Sequence, residues 1–251
     1  MTGALLLLDN ISIPQVLISE KDFLIVFKPP GMHSAPLGNS SGGTLLEWCG
    51  REFPETTKPG GRKKGEGGLL HRLDYETQGL MIVARTETGM ENLLAQQKEE
   101  KIIKEYGVLA MRAEKSLPGF PPGHFECPPE HFSINSAFRP YGAGRKAVRP
   151  QPEGKKEYVT KIIEKKEMPG DVIFFGVRIT SGFRHQIRCH FAWMGFPVIN
   201  DKLYGGAVYG NGMLGLRANS ISFLDPSSGE KRKYSIPSFD NSFSYFGGEV
   251  K

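Results

Sequence analysis

Over residues 68–84 the chain sets an ionisable cluster, His71, Arg72 and Asp74, just ahead of an apolar run, Leu80-Met81-Ile82-Val83-Ala84. The run is short, partly β-branched and preceded by Gly79, so it reads as a buried strand with the cluster at its mouth. A carboxylate there is poorly solvated, and an arginine two residues away favours its ionised form. That combination suits a nucleophile or a general base. In an arbitrary protein the same His-x-x-Asp turn serves as a local hydrogen-bonding device.

The rest of the pattern is strand, turn and loop. Val16-Leu17-Ile18 and Phe23-Leu24-Ile25-Val26-Phe27-Lys28 predict a strand hairpin stopped by Pro29-Pro30-Gly31. Thr44-x-x-Glu47 predicts a capping box opening a short helix with Leu45, Leu46 and Trp48. Residues 54–68 are polar, glycine-rich and basic at Arg62, Lys63 and Lys64, the composition of a mobile loop. Thr88-x-x-Glu91 predicts the cap of a helix reaching about Glu100. Residues 104–110, 158–164 and 172–180 read as strands, and Ile221-Ser222-Phe223-Leu224 precedes an Asp225-Pro226 turn.

Five prolines over residues 116–130 exclude helix and central strand and mark an inserted loop. Residues 139–156 carry Arg139, Arg145, Lys146, Arg149, Lys155 and Lys156 against Glu153 alone. The clearest helix covers residues 184–194, with Gly195 as its stop and Pro197 just beyond. Ile187, Phe191 and Met194 form its buried stripe, and Arg184 and Arg188 are i, i+4 neighbours on an adjoining face. The residues after Pro237 read as a loosely held tail. Strands joined by short turns with few long helices favour an α+β fold around a largely antiparallel sheet.

Composition narrows the function. The 251 residues can bury one sizeable core, and the formal net charge of +5 permits a polyanionic partner. The four leucines of residues 5–8 are too few for a signal or membrane segment, which favours a cytoplasmic protein. Cys49, Cys127 and Cys189 are odd in number and widely spaced, so neither a disulfide framework nor a zinc site is expected. His185 and His190 are five apart, wrong for a helical zinc pair, and no glycine-rich phosphate loop appears. No metal or cofactor is expected.

Two segments together carry a resemblance. Residues 71–80, His-Arg-Leu-Asp-Tyr-Glu-Thr-Gln-Gly-Leu, resemble the His-Arg-Leu-Asp-x-x-Thr-x-Gly-Leu signature of the RluA-like pseudouridine synthases. Gly182-Phe183-Arg184-His185-Gln186-Ile187-Arg188-Cys189-His190, continuing through Pro197, Asp201, Tyr204 and Gly205, resembles that family's second hallmark. Weaker matches lie around Lys28-Pro29-Pro30-Gly31, Lys104-x-Tyr106 and residues 214–226, so the likeness spans about Glu20 to Glu230. Phe183 stands where the family usually has arginine, Asn200 replaces a glycine, and Arg217 and Asp225 replace two closing histidines.

The resemblance implies a bent, mostly antiparallel sheet flanked by helices and loops. It implies one catalytic domain over residues 1–251, with its core at about 20–230, and without the S4-type RNA-binding domain of many relatives. It implies a monomeric enzyme that isomerises uridine to pseudouridine in structured RNA, ribosomal or transfer. Asp74 would be the catalytic residue, Arg188 its ion-pair partner and Tyr106 the ring that stacks on the target base. A packed, helix-borne arginine offers a rigid bidentate fork for such a carboxylate. Arg72 and His71 beside Asp74, with Arg145, Lys146 and Arg149 of the basic segment, are the expected RNA-binding residues. The alternatives are a non-catalytic RNA-binding protein on the same fold, and a glycosidase-like enzyme. The latter needs a second carboxylate beside Asp74, and Glu76 reads as pointing into a turn.

Overall fold

Apolar residues alternate along Phe23–Lys28 and Gln78–Ala84, and the alternation sorts them onto two faces of a sheet. Leu24, Val26, Met81 and Val83 enter one buried cluster, whereas Phe23, Ile25, Leu80, Ile82 and Ala84 enter another. The computed structural model describes residues 12–37, 42–61, 63, 65–123, 126–151 and 153–237. The leucine run of residues 5–8, Arg62, Lys64 and the tail beyond Pro237 lie outside them.

The described strands are β1 (Gln15–Ser19), β2 (Phe23–Lys28), β3 (Gln78–Ala84), β4 (Ile103–Met111) and β5 (Ser133–Tyr141). Then come β6 (Ala147–Gln151), β7 (Tyr158–Glu167), β8 (Val172–Ile179), β9 (Leu216–Leu224) and β10 (Lys231–Ser235). They form one sheet in the order β1-β2-β3-β9-β4-β8-β7-β5-β6, with β10 beside β9. Every pairing is antiparallel except β3 with β9. Two strands change neighbours along their length. β9 pairs with β3 at Arg217 and Ala218 and with β10 from Ser220 to Leu224. β5 pairs with β7 up to Ser136 and with β6 from Ala137 on. Such exchanges are where a sheet turns a corner.

Helices cover both faces near the bend. α1 (Leu45–Glu52) and α3 (Gln186–Trp193) place Leu45, Leu46, Cys49, Ile187 and Phe191 in the first cluster. Met90 and Leu93 of α2 (Glu87–Lys98) close the second. Among the described residues no helix is long and apolar enough to cross a membrane.

Several local expectations shift. The Thr44–Glu47 capping box forms. α2, however, is capped by Thr86, whose Oγ1 accepts from Gly89 N at 3.0 Å and donates to Asp22 Oδ1 at 2.7 Å. Thr88 therefore lies inside the helix. α3 starts at Gln186 because His185 takes a left-handed conformation (φ 57°). Arg184 precedes the helix, so it is not an i, i+4 partner of Arg188. The basic residues 139–156 include the hairpin β5–β6 rather than an open segment. The proline-rich segment forms no strand or helix in its described part, and it lays Leu117 and Phe120 against Tyr204 and Tyr141.

Gly79 sits at the β3–β9 crossing with φ 128°, and a Cβ there would meet Ala218 O at 2.4 Å. Gly79→Ala is expected to cost about 1–3 kcal/mol from backbone conformation alone, with the clash added. Urea unfolding measures it, and a variant as stable as wild type would show that β9 does not approach β3 this closely.

Candidate active site

The chain reaches Asp74 along β3 and turns back into it. Gly68 O accepts from Ala84 N at 2.7 Å, Leu69 bridges Val83, and Leu70 N donates to Ile82 O at 3.3 Å. Gly68 is required there, because a Cβ would lie 2.0 Å from Ala84 O. Residues 74–77 then form a turn closed by Thr77 N donating to Asp74 O at 3.1 Å. Asp74 thus occupies the first position of a tight turn feeding a wholly buried strand.

The loop after β2 pins both sides of that turn. Ser34 Oγ donates to Leu73 O at 2.9 Å and accepts from Leu73 N at 3.0 Å. Gly31 N donates to Tyr75 O at 2.9 Å. Lys28 is fully buried, and its Nζ donates to Pro29 O, Met32 O and Tyr75 O. Burial lowers the Lys28 ammonium to about 7, against the opposing pull of Asp74 and Glu76. A site residue held on both sides by fixed partners keeps its geometry through turnover.

Arg188, on the first turns of α3, joins three carboxylates. Its Nε and Nη2 donate to Asp201 Oδ2 and Oδ1 at 2.6 and 2.9 Å, and its Nη1 donates to Asp74 Oδ2 at 3.1 Å. The bidentate fork expected for Asp74 is therefore occupied by Asp201, and Asp74 receives the remaining nitrogen. Burial works against the Arg188 charge, but Asp201 and Asp74 more than offset it, so the guanidinium is held cationic. Asp201 is fixed in turn by the amides of Leu203 and Tyr204, at 3.1 and 3.2 Å. Glu76 Oε2 lies 3.7 Å from the same Nη1. It lines the pocket rather than turning wholly into the 74–77 turn, and it shares Asp74's cation.

Asp74 keeps 23% of its side-chain exposure, whereas Arg188 keeps 4%. The carboxylate thus faces a pocket of about 730 Å³ and the cation lies behind it. Tyr106 of β4 lines the same pocket, and burial, reinforced by Asp74, keeps its hydroxyl protonated. His185 Nε2 lies 3.8 Å from Asp74 Oδ1, and burial holds its imidazole below the usual histidine value. His190 is pushed down to about 3 by burial and links Ser136 and Thr160 inside the core. Among the described residues no three His, Cys, Asp or Glu side chains cluster as metal ligands would.

Of the residues singled out in the sequence, Asp74, Arg188, Tyr106, Arg72 and His71 all line this pocket. His71 is buried, with Nε2 accepting from Ile82 N at 3.4 Å, while Arg72 is half-exposed and lies 3.5 Å from Glu66. Arg145, Lys146 and Arg149 lie on the β5–β6 hairpin outside the lining. Arg149 donates to Gly119 O, and Arg184 Nη2 ties the hairpin to the pocket rim through Arg145 O and Ala147 O. Ser34, Lys28 and Asp201 carried no role in the sequence reading. Asp201 had the strongest signal, lying within the second hallmark three residues before Tyr204.

Two of the replacements of the family pattern, at Asn200 and Asp225, have local partners. Asn200 takes φ 62°, where glycine is otherwise favoured, and its amide clamps Tyr209 and Met213. Asp225 caps the β9–β10 turn, accepting from Ser227 N at 2.9 Å and Ser228 N at 3.2 Å.

A model of the family described as RNA pseudouridylate synthase matches residues 22–193. An uncharacterized RNA pseudouridine synthase of Aquifex aeolicus is 29% identical over 197 residues, covering 78% of this chain and 57% of the relative. Ribosomal large subunit pseudouridine synthase D of Buchnera aphidicola is 28% identical over 207 residues, 80% of this chain and 58% of the relative. The chain thus spans under two thirds of the length of these relatives. The human RNA pseudouridylate synthase domain containing 1 shares the fold, with a TM-score of 0.63 at 21% identity over 90% of this chain and 84% of that one. The family model takes in the Asp74 turn, Tyr106 and Arg188 together, and the chain belongs to the RNA pseudouridylate synthase family.

Proposed function

We propose that this chain isomerises uridine to pseudouridine within structured RNA, with Asp74 as the residue that acts on the nucleotide. The observation that carries the reading is the Asp74 carboxylate, open to a pocket and backed at 3.1 Å by an arginine that Asp201 holds in place. The reaction breaks N1–C1′, turns the base and forms C5–C1′. C5 loses a proton and N1 gains one, so the balance requires neither an oxidant nor a donated group. A carboxylate serves it by adding to C1′ of the ribose or C6 of the uracil, or by removing a sugar proton.

The surroundings support those roles. A pocket of about 730 Å³ lies within the range that encloses a small ligand such as one nucleotide. Tyr106 offers a ring for the base, and stacking contributes about 1–3 kcal/mol per base. A uridine inside a helix must be extruded first, and Arg72, exposed and lining the pocket, is the residue proposed to fill the vacated stack. A glycosidase needs its second carboxyl across the substrate from the first. Glu76, which shares Asp74's cation, is the candidate for that second carboxyl, and the Glu76→Gln variant tests it.

Ribosomal and transfer RNA are the proposed substrates, and the relatives named for the large ribosomal subunit make its RNA the first to test. Unmodified ribosomal and transfer RNA, incubated with the purified protein and digested to nucleosides, should yield pseudouridine on chromatography. RNA that is bound but left unmodified would instead favour the non-catalytic alternative.

The β5–β6 hairpin is the proposed backbone contact. Arg145 and Lys146 are exposed, whereas Arg149 is engaged with Gly119 O. Replacing Arg145 and Lys146 by Ala should make the salt slope of RNA binding shallower by about 1.4, at roughly 0.7 per phosphate lost. Turnover at saturating RNA should hold, and Arg149→Ala should change the slope less. An unchanged slope in the double variant removes the hairpin from the RNA surface.

A further inference from the structure

Next to the Asp74 pocket, three rings from three separate stretches of chain meet. Phe183 stacks on Phe138 of β5, with centroids 5.1 Å apart and planes 8° apart, and Tyr158 of β7 lies 5.1 Å from Phe183. Phe138 also contacts the buried His190 at 4.9 Å, so the group is anchored in the core. Phe183 and Tyr158 both line the pocket, and Phe183 remains 37% exposed. Its backbone is fixed as well. Phe183 N donates to Gln186 Oε1 at 3.0 Å, and Gln186 Nε2 donates onward to Val159 O and Thr160 Oγ1. The ring is therefore held with part of its surface turned to solvent.

We infer that Phe183, supported by Phe138 and Tyr158, is a stacking subsite for an unpaired nucleobase flanking the target uridine. The inference rests on the reading of the Asp74 pocket as the place where RNA is modified. Three features favour a nucleobase over a protein side chain. The rings are continuous with that pocket. The cations beside them suit a phosphate backbone: Lys156 Nζ lies 5.2 Å over the Tyr158 ring, and Arg184 lines the same rim. Phe183 also occupies a position at which the motif it resembles has arginine, with Arg184 at the next position, so a π-face stands there beside a cation. Such a face accepts any base and supplies affinity without reading sequence.

The test pairs variants of the full chain with altered probes. The probe is a fluorescein-labelled single strand about ten nucleotides long, a span typical of single-strand grooves, with one uridine among adenosines. Two further probes carry an abasic site on the 5′ or the 3′ side of that uridine. Phe183→Leu keeps an apolar side chain and removes the ring, and Phe183→Trp keeps a ring. Wild type and Phe183→Trp should bind the intact probe about 5- to 100-fold more tightly than Phe183→Leu. With one of the abasic probes, wild type and Phe183→Leu should bind alike.

Equal binding of wild type and Phe183→Leu to the intact probe overturns the subsite. So does a difference that survives in both abasic probes, because the ring then acts on something other than a flanking base. Thermal melting of each variant separates these outcomes from loss of fold. Pseudouridine formation by wild type on ribosomal and transfer RNA is scored in parallel. Turnover without the stacking difference removes the subsite alone, whereas the stacking difference without turnover leaves an RNA-binding groove and removes the enzymatic reading.

Discussion

Asp74→Asn is expected to lower pseudouridine formation by about 10⁴-fold or more while RNA affinity stays within a few-fold. The amide matches the carboxylate in shape and still offers an oxygen to Arg188 Nη1. It carries no negative charge, so it neither adds to C1′ or C6 nor removes a proton at a useful rate. The fold should survive, because the buried Arg188 retains its two bonds to Asp201. Glu76→Gln is the matched control. Glu76 shares Arg188 at 3.7 Å but is more than half exposed, and its loss should cost less than about tenfold. If Asp74→Asn forms pseudouridine at the wild-type rate, Asp74 is not the reacting group. If Glu76→Gln is the inactive variant, the roles of the two carboxylates are exchanged.

The parts of this site that could be read from the sequence are those whose geometry is local. Asp74 sits in one contiguous run with the glycines that shape its turn, and Arg188 sits on a helix whose apolar stripe is plain. Ser34 was hidden because a single serine in a loop carries no pattern until that loop lies against Leu73. Asp201 was hidden because the fork of Arg188 can serve only one carboxylate bidentately. Which one depends on where α3 meets the turn that carries Asp201.

The same distinction holds for the fold. Spacing favours Thr88, with Glu91 three residues on, and the bond from Thr86 to Asp22, far along the chain, is what moves the cap to Thr86. β10, Lys-Arg-Lys-Tyr-Ser, is not legible in the sequence because an edge strand loaded with charge shows little apolar alternation. In β5 the alternation is broken by Arg139 and Pro140, in the part that pairs with β6 after the strand has left β7 at Ser136.

Arg188 separates a catalytic pairing from a structural one, provided the substitution spares the fold. Arg188→Ala would leave Asp201, which is fully buried, without its cation, and stranding a buried charge costs about 3–5 kcal/mol. Arg188→Lys is the better probe. An ammonium preserves charge, but it lacks the planar fork that serves Asp201 with two nitrogens while presenting a third to Asp74. The variant should fold with a lowered Tm and lose about 10- to 100-fold in rate at neutral pH, the order seen when a group that orients a reactive ligand is removed.

The split between kcat and KM then identifies the cause. One ammonium cannot serve Asp201 with two donors and Asp74 with a third, so the 3.1 Å contact to Asp74 is the one at risk. The loss in Arg188→Lys should therefore fall on kcat, with KM for RNA changed less than about threefold. In wild type the guanidinium is held cationic by Asp201 and Asp74. A variant that loses stability but keeps the wild-type kcat would show that Arg188 supports the fold through Asp201 and has no part in the reaction at Asp74.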